Sequence, residues 1–319
     1  MNTNFSSLLR RRCTPLCLLL LLVAASSAND GSSPAENTGP PTARTANELV
    51  AQAATSLIQH HSIAAKLRHR VMLFDQDLMG QGQYHQLQVD GRTYVRYELK
   101  LPVGDQVASL QHVSNGRSLW IRREVPSLDD PRQMRAALTH VDLVKVRSSL
   151  RESQQAESTV AWPLASGGMA GQGGLSEMLL RLEQWFEFET ACRVELHGVP
   201  VWATTGHRKP IPAASDRAAD ENSSVELPVQ APHTVALMIG CDDLFPYRIE
   251  FHRRKDAAPN LRSIPSKSRT SPIVLMQFYD VGFDVPVDAR IFDYHTVGLA
   301  EKDGTDDYVA HLLGDHGAN

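Results

Sequence analysis

Residue types that carry catalysis are present in this sequence, but they are scattered along it. Asp75 and Asp77 are two positions apart, so on a strand their carboxylates would share one face and could act as an acid and base pair. Asp242 and Asp243 form a second acidic pair just after an apolar run. Solvated acids beside loops are commoner than catalytic pairs, and neither pair has neighbours that indicate a perturbed pKa. We therefore predict no catalytic residues.

The thirteen histidines do not form a recognisable metal-binding set. His60 and His61 are the densest pair, but adjacent residues on a helix diverge by about 100° and would not chelate one ion from a shared face. The chain has no G-x-S-x-G, H-E-x-x-H or P-loop motif. The glycine-rich stretch 166–174 has no preceding strand and no lysine, so it predicts a flexible connection. We predict no metal, no cofactor and no enzymatic activity, and a hydrolase with an unrecognised site is the alternative.

The first residues have the pattern of a secretory signal peptide. Arg10–Arg12 precede the apolar run Leu16–Ala25, and small residues follow up to Ala28. The run is shorter than the ~20 residues that a spanning helix needs. We predict a signal peptide over 1–28, a flexible linker over 29–45, and a soluble protein that is exported, either periplasmic or secreted.

Composition limits the classes of partner. The chain has 319 residues, of which 42% are apolar and 21% charged, values typical of a globular protein. Removal of residues 1–28 takes Lys+Arg from 32 to 29 against 36 Asp+Glu, so the formal charge moves from −4 to −7. Such an acidic protein is a poor partner for nucleic acid. The basic cluster 253–255 predicts a solvated turn, or at most transient contact with a membrane surface.

Cys192 and Cys241 would be the two cysteines left after export. In an oxidising compartment one pair can form a disulfide. Each shares strand parity with apolar neighbours, so both are expected to point inward. Two buried thiols that pack without a bond are the alternative.

The hydrophobic pattern predicts a helix, a meander, helices and a second set of strands. Thr45 to Glu48 is a capping box before apolar residues at helical spacing, which predicts a first helix over about 46–67. Period-two alternation and the turns Asp90-Gly91 and Asn115-Gly116 predict an antiparallel meander over about 63–125. Asp130-Pro131 opens a predicted helix that a second helix from Leu143 continues.

The second half of the pattern begins with a broad apolar helical stripe. A helix near Ser176 carries Met178, Leu182, Trp185 and Phe186 on this stripe. Beyond Glu187 the alternation is again that of strands. The segment 235–239 is apolar at every position, which predicts a central strand covered on both faces.

Three short motifs carry a family resemblance. They are the segment 113–121 with Asn115-Gly116 and Trp120, the segment 244–251 with Leu244, Pro246 and Ile249, and the segments 277–281 and 288–294. With this order of elements, the chain resembles the LolA/LolB-like superfamily of periplasmic lipoprotein and lipid carriers over about 46–294. The motifs are short and degenerate, so no functional residue is carried over. The segments 130–176 and 213–224 are long for the family.

The resemblance implies an α+β fold in which a curved, incompletely closed antiparallel β-barrel or sheet has helices over its concave face. It implies a single domain over 46–299, with inserted loops at about 152–174 and 213–231 and a C-terminal tail over 300–319. It further implies an apolar cavity for acyl chains. The residues we expect to line this cavity are Tyr97, Leu99, Trp120, Met178, Leu182, Trp185, Phe186 and Met238. An ordinary core without a cavity is the other interpretation of the same residues.

These observations support two hypotheses of function. The first is an exported, non-enzymatic carrier or sensor that binds a lipid or lipoprotein acyl chain by apolar burial. The second is an interaction module of the same fold that contacts another envelope protein and has no lipid ligand.

Overall fold

The structure is a computed structural model that describes residues 45–73, 76–127, 133–155, 173–210, 232–252, 273–295 and 298–313. These ranges belong to one compact unit that spans 44–319. The predicted signal peptide, nearly all of the predicted linker and most of the two predicted insertions lie outside the described residues.

Strands make up most of the described residues. In chain order they are β1 (Ser62–Leu73), β2 (Gln76–Val89), β3 (Arg92–Val103), β4 (Gln106–Ser114), β5 (Ser118–Pro126), β6 (Met134–Asp142), β7 (Phe186–Phe188), β8 (Cys192–Leu196), β9 (Val199–Arg208), β10 (Thr234–Gly240), β11 (Pro246–His252), β12 (Val274–Phe283) and β13 (Glu301–Asp303). The helices are α1 (Ala46–Gln59), α2 (Leu143–Gln155), α3 (Gly174–Trp185) and α4 (Thr305–Leu313), with a 3-10 helix over Ala289–Phe292.

The thirteen described strands form one open sheet. Their order is β13-β6-β5-β4-β3-β2-β1-β12-β11-β10-β9-β7, and β8 pairs with β9 beside β7. Every pairing is antiparallel except that of β13 with β6. The predicted class is confirmed: the fold is α+β, with a curved antiparallel sheet that does not close and with helices packed on its concave face.

Helix α1 begins at the predicted capping box. The Thr45 hydroxyl accepts a hydrogen bond from the Glu48 backbone N–H at 3.3 Å, and the Thr45 N–H donates to the Glu48 carboxylate at 3.1 Å. The predicted end at 67 is wrong, because the helix stops at Gln59 and β1 begins at Ser62. Beyond that point the buried residues Ile63, Ala65 and Leu67 alternate with more exposed ones, and pairing with β2 and β12 fixes them as a strand.

The predicted meander is confirmed over β1 to β5. Asp90 and Gly91 have φ values of 48° and 70°, which is the backbone that a two-residue hairpin loop requires. At the second turn Gly116 has φ 75°, and the Asn115 side-chain oxygen accepts hydrogen bonds from the Arg117 and Ser118 backbone N–H groups at 3.0 and 2.9 Å.

The segment predicted to be a helix after Asp130-Pro131 is strand β6 from Met134 onward. The first residues of the predicted helix, up to 132, lie outside the described ranges. Leu138 and Val141 were expected on one helical face, but β6 pairs with β5 and sends them to opposite faces of the sheet. The apolar spacing in this segment fits both structures, and sheet pairing decides between them. The second predicted helix, α2, is confirmed from Leu143.

The predicted C-terminal tail contains regular structure. β13 pairs with β6, and α4 follows it, beginning at Thr305, whose side chain accepts a hydrogen bond from the Asp142 N–H at 2.9 Å. Tyr308 and Leu312, one helical turn apart, are both buried in a cluster with apolar residues of α2, β5 and β6. The segment over 300–313 is therefore part of the domain.

Candidate functional site

The concave face of the sheet carries the main apolar core beneath α1 and α3. Alternate residues of β1, β3, β10, β11 and β12 point into it, as the period of two requires. From the candidate set, Tyr97, Leu99, Met178, Leu182 and Phe186 are buried in this one cluster, and Trp185 packs at its edge. The structure thus brings together six of the eight residues predicted to lie at a ligand cavity.

The other two candidates lie on the opposite face. Met238 alternates with the buried residues Leu237 and Ile239 of β10, so its side chain points away from the core. The same pattern corrects the prediction that 235–239 is covered equally on both faces. Trp120 alternates with Leu119 and Ile121 of β5, and its ring stacks on Tyr294 at 5.9 Å. A continuous apolar run hides strand parity, which is why sequence reasoning placed Met238 in the cavity.

A buried hydrogen-bond network connects the helices to the sheet in the first core. The Tyr84 hydroxyl donates to the Gln86 side-chain oxygen at 2.7 Å and accepts from the Leu175 N–H at 3.1 Å. The Gln86 amide donates to the Leu57 carbonyl of α1 at 2.9 Å. Burial raises the pKa of the Tyr84 hydroxyl far above its ordinary range. This network is a positioning device for α1 and α3.

A second, smaller core lies under α2 and α4 at the β5–β6 side of the sheet. It contains Leu119 and Ile121 of β5, Val141 of β6 and residues of the two helices. Strand β4 runs between the two cores, and its Leu110 packs against both. We call three of the residues that β4 presents to the concave face, Ala108, Leu110 and His112, the β4 seam.

Two histidines on the concave face have buried ring nitrogens: His112 of the β4 seam, which is buried, and His69 of β1, which is partly buried. His112 is 1% exposed, and neither ring nitrogen has a hydrogen-bond partner. Its ring centroid lies 5.9 Å from that of Tyr97, whose hydroxyl lies 3.2 Å from Nδ1 of His69. Nε2 of His69 is buried and unpartnered as well. The concave face therefore holds three imidazole nitrogens without a partner, which is uncommon in a folded protein.

Burial keeps both histidines neutral. It lowers the pKa of His69 to about 4. It lowers the pKa of His112 to about 3, and the charge of Arg123 acts in the same direction. A neutral imidazole has one donor and one acceptor nitrogen, so these side chains can orient a polar group but carry no charge at neutral pH.

The concave face becomes exposed towards one end of the sheet. Along β3, Val95 and Tyr97 are buried, Leu99 is 7% exposed, and Leu101 and Val103 are partly exposed. Exposure increases in the same direction on the two neighbouring strands. On β5, Ile121 is buried and Val125 is 46% exposed; on β4, Ala108, beyond Leu110, is partly exposed. We call Leu101, Val103, Ala108 and Val125 the open floor.

The open floor is continuous with the β4 seam and has positive charge beside it. Leu101 pairs with Ala108 across β3 and β4, and Leu99 pairs with Leu110 one step deeper. Arg123 and Arg135, both exposed, share the concave face with Val125. The arrangement can hold an apolar chain along the strands and an anionic group near its end.

Sequence reasoning missed His69, His112 and Leu110. In β4 the apolar residues Val107, Leu110 and Val113 do not alternate, so no signal in this segment separates the two faces. His69 follows a run that continues the helical pattern of α1. Only the pairing of β4 with β3 and β5 reveals which residues face inward.

The predicted disulfide is not formed. Cys192 and Cys241 are free; Cys192 is exposed and Cys241 is partly exposed. Cys192 lies opposite Ala203 of β9, whereas the Cys241 N–H donates to the Pro200 carbonyl from the other side of β9. Three residues of strand span about 10 Å, so the two cysteines are farther apart than the ~7 Å that a bridge allows. The alternation of apolar residues predicted that Cys192 points inward, but β8 is exposed on both faces, so neither face is buried.

Within the described ranges, no cluster of three or more histidine, cysteine or acidic side chains is placed to hold a metal ion. Among the helices of the same ranges, none combines the length and apolar character needed to cross a membrane.

No protein-family model matches the sequence, and no curated protein matches it either. Solved structures with a similar fold include a DUF1329 family protein from Desulfovibrio piger, with a TM-score of 0.35 and 9% identity over 78% of this chain and 95% of that chain. A putative outer membrane lipoprotein-sorting protein domain from Vibrio parahaemolyticus aligns with a TM-score of 0.32 and 10% identity over 77% and 95%.

A third neighbour is the MucA/MucB complex of Pseudomonas aeruginosa, with a TM-score of 0.37 and 10% identity. The alignment covers 78% of this chain and 61% of that chain, so this chain spans about three fifths of that protein. At these identities the likeness concerns the fold alone.

Proposed function

We propose that this chain is an exported, non-enzymatic carrier or sensor that binds the acyl chain of a lipid or lipoprotein on the concave face, over the open floor. One observation carries this proposal. The apolar concave face continues beyond its helix-covered core into the open floor. There Leu101, Val103 and Val125 still point to the concave side, but they are exposed or partly exposed. An apolar surface that extends a core in this way is typical of a binding groove.

The chemistry of the groove favours an unbranched apolar ligand. The residues of the open floor are aliphatic and lie on neighbouring strands about 4.8 Å apart, so they form a strip along which a chain can lie. Arg123 and Arg135 would lie near the polar end of such a chain and favour a carboxylate or phosphate there. Each buried methylene group should add about 0.8 kcal/mol to binding.

A chain-length series tests the proposal. Displacement of a fluorescent fatty acid would be measured for saturated fatty acids of increasing length on the purified protein. We expect the affinity to rise about three- to fourfold per added methylene until the groove is filled, because 0.8 kcal/mol corresponds to that factor. Fatty acids of all lengths failing to displace the probe, together with no lipid co-purifying in native mass spectrometry, would overturn the proposal and favour the interaction module.

A further inference from the structure

Strand β8 forms an exposed edge of the sheet. It pairs with β9 over Cys192–Leu196, and in the described part of the chain no other strand pairs with it. Four of its five residues are exposed, which fits a strand that neither helices nor a second sheet cover. An edge of this kind presents free backbone donors and acceptors to another chain.

The β8–β9 hairpin holds this edge in a fixed conformation. His197 and Gly198 have φ values of 50° and 85° and form a two-residue loop between Leu196 and Val199. Val201, which lies opposite Val194, is fully buried. The exposed strand β8 is thus paired with a strand, β9, that is anchored in the core by Val201.

The sequence of β8 is complementary to itself. Cys192, Val194 and Leu196 point to one face, and Arg193 and Glu195 point to the other. In an antiparallel pair of two β8 strands centred on Val194, Arg193 of each copy lies opposite Glu195 of the other. The same register places Val194 opposite its equivalent and Cys192 opposite Leu196.

Neighbouring registers do not have this property. A pair centred on Arg193 would place two arginines opposite each other, and a pair centred on Glu195 would oppose two glutamates. Like charges directly opposite each other are unfavourable, whereas opposite charges stabilise a pair of strands. Charge complementarity therefore selects the Val194-centred register.

We propose that β8 is the contact site for a second copy of this chain, which adds its own β8 in antiparallel register to make a two-fold symmetric dimer with one continuous sheet. The contact is isologous, so a single strand supplies both halves of the interface. Five paired residues bury less than the ~1,200–2,000 Å² of a stable interface, so the dimer is weak and depends on protein concentration. Acyl-chain binding does not enter into this proposal.

Disulfide trapping tests the register. In a background with Cys192→Ser and Cys241→Ser, the substitution Val194→Cys places two thiols directly opposite each other, within the range for a bridge. Glu195→Cys is the matched control, because in this register its thiols are offset by two residues, about 7 Å along the strand. We expect dimer on non-reducing gels for Val194→Cys and monomer for Glu195→Cys. Equal cross-linking of both, or of neither, would overturn the proposal.

Charge exchange provides a second readout that needs no cysteine. Sedimentation velocity would follow dimer formation against concentration. Arg193→Glu should weaken the dimer about tenfold, because two attractive pairs become repulsive. The double substitution Arg193→Glu with Glu195→Arg should restore it, since the pairs are only inverted. Failure of the double variant to recover would contradict the register, and dimerisation of Arg193→Glu at the wild-type level would contradict the site.

Discussion

The Tyr97 hydroxyl and Nδ1 of His69 lie 3.2 Å apart, although β2 separates the strands that carry them. The two side chains meet across β2 because its inward positions opposite His69 and Leu67 are Gly80 and Gly82. A Cβ at Gly82 would come within 1.9 Å of the Glu98 carbonyl oxygen. The absence of side chains at Gly80 and Gly82 thus permits β3 to approach β2 closely, and it leaves room for the contact between Tyr97 and His69 across β2.

Replacing Gly82 with alanine should therefore destabilise the domain. The added methyl group meets backbone rather than a flexible side chain, so β2 and β3 must separate. We expect a loss of about 2–4 kcal/mol in the free energy of unfolding, as for overpacked positions. Urea denaturation measures it. Gly104→Asn is the control, because this turn glycine has φ 63°, which asparagine tolerates, and open space around it; a Gly82→Ala protein as stable as this control would contradict the packing.

His112 should be replaceable by an apolar residue without loss. Its two ring nitrogens are buried and unpartnered, so His112→Leu removes groups whose desolvation is not repaid. We expect a free energy of unfolding that is unchanged or higher by about 1 kcal/mol. Leu119→Ala, a neighbouring buried position on β5, should instead lose about 2–5 kcal/mol. A large loss for His112→Leu would show that its nitrogens have polar partners after all.

Stability should fall on mild acidification because of the same two histidines. Burial lowers the pKa of His69 to about 4 and that of His112 to about 3, whereas in the unfolded chain they titrate near 6.5. Below about pH 6.5 the unfolded state binds more protons, so stability decreases as pH falls, by up to about 1.4 kcal/mol per pH unit for each histidine. Carboxylates contribute equally in wild type and His112→Leu.

The difference between those two proteins isolates His112. Urea denaturation should give free energies of unfolding that differ by at most about 1 kcal/mol at pH 7. The difference should widen between pH 7 and pH 4, because the wild type loses more stability on acidification. Parallel curves would mean that His112 is accessible to protons in the folded protein.

Helix α4 should contribute to stability although it lies in the predicted tail. Leu312 is 2% exposed in the second core, so Leu312→Ala should lower the free energy of unfolding by about 2–4 kcal/mol. Asp306→Ala, at an exposed position of the same helix, should change it by less than about 1 kcal/mol. Thermal unfolding of both variants measures the difference, and equal midpoints would indicate a helix that does not support the domain.

Local signals in the sequence identify the elements whose structure is decided locally. The capping box fixes the start of α1, and the turns at Asp90-Gly91 and Asn115-Gly116 fix the hairpins, because each needs only neighbouring residues. The end of α1 and the identity of β6 depend on pairing with distant strands, and helical spacing cannot reveal that. The α+β class, with an open antiparallel sheet and covering helices, could be inferred because it depends on the order of elements rather than on any one residue.

The candidate site could be predicted only in part for the same reason. Tyr97 and Leu99 lie in a strand where apolar and polar residues alternate, so the sequence predicts that both side chains point inward. The face to which Met238 and Trp120 point could not be predicted, because polar and apolar residues do not alternate in these segments. His69 and His112 carry no apolar signal, and burial at these positions follows from the sheet as a whole.

Acyl-chain binding by a matched pair of variants on β4 tests the proposed function most directly. Ala108 belongs to the open floor, while its neighbour Val107 is 54% exposed on the opposite face. Ala108→Asp places a charge in the path of the chain, and Val107→Asp adds the same charge outside it. In titrations with hexadecanoic acid, we expect Ala108→Asp to weaken binding at least about tenfold and Val107→Asp to bind as the wild type does. Wild-type affinity for Ala108→Asp, or an equal loss in both variants, would contradict binding on the concave face.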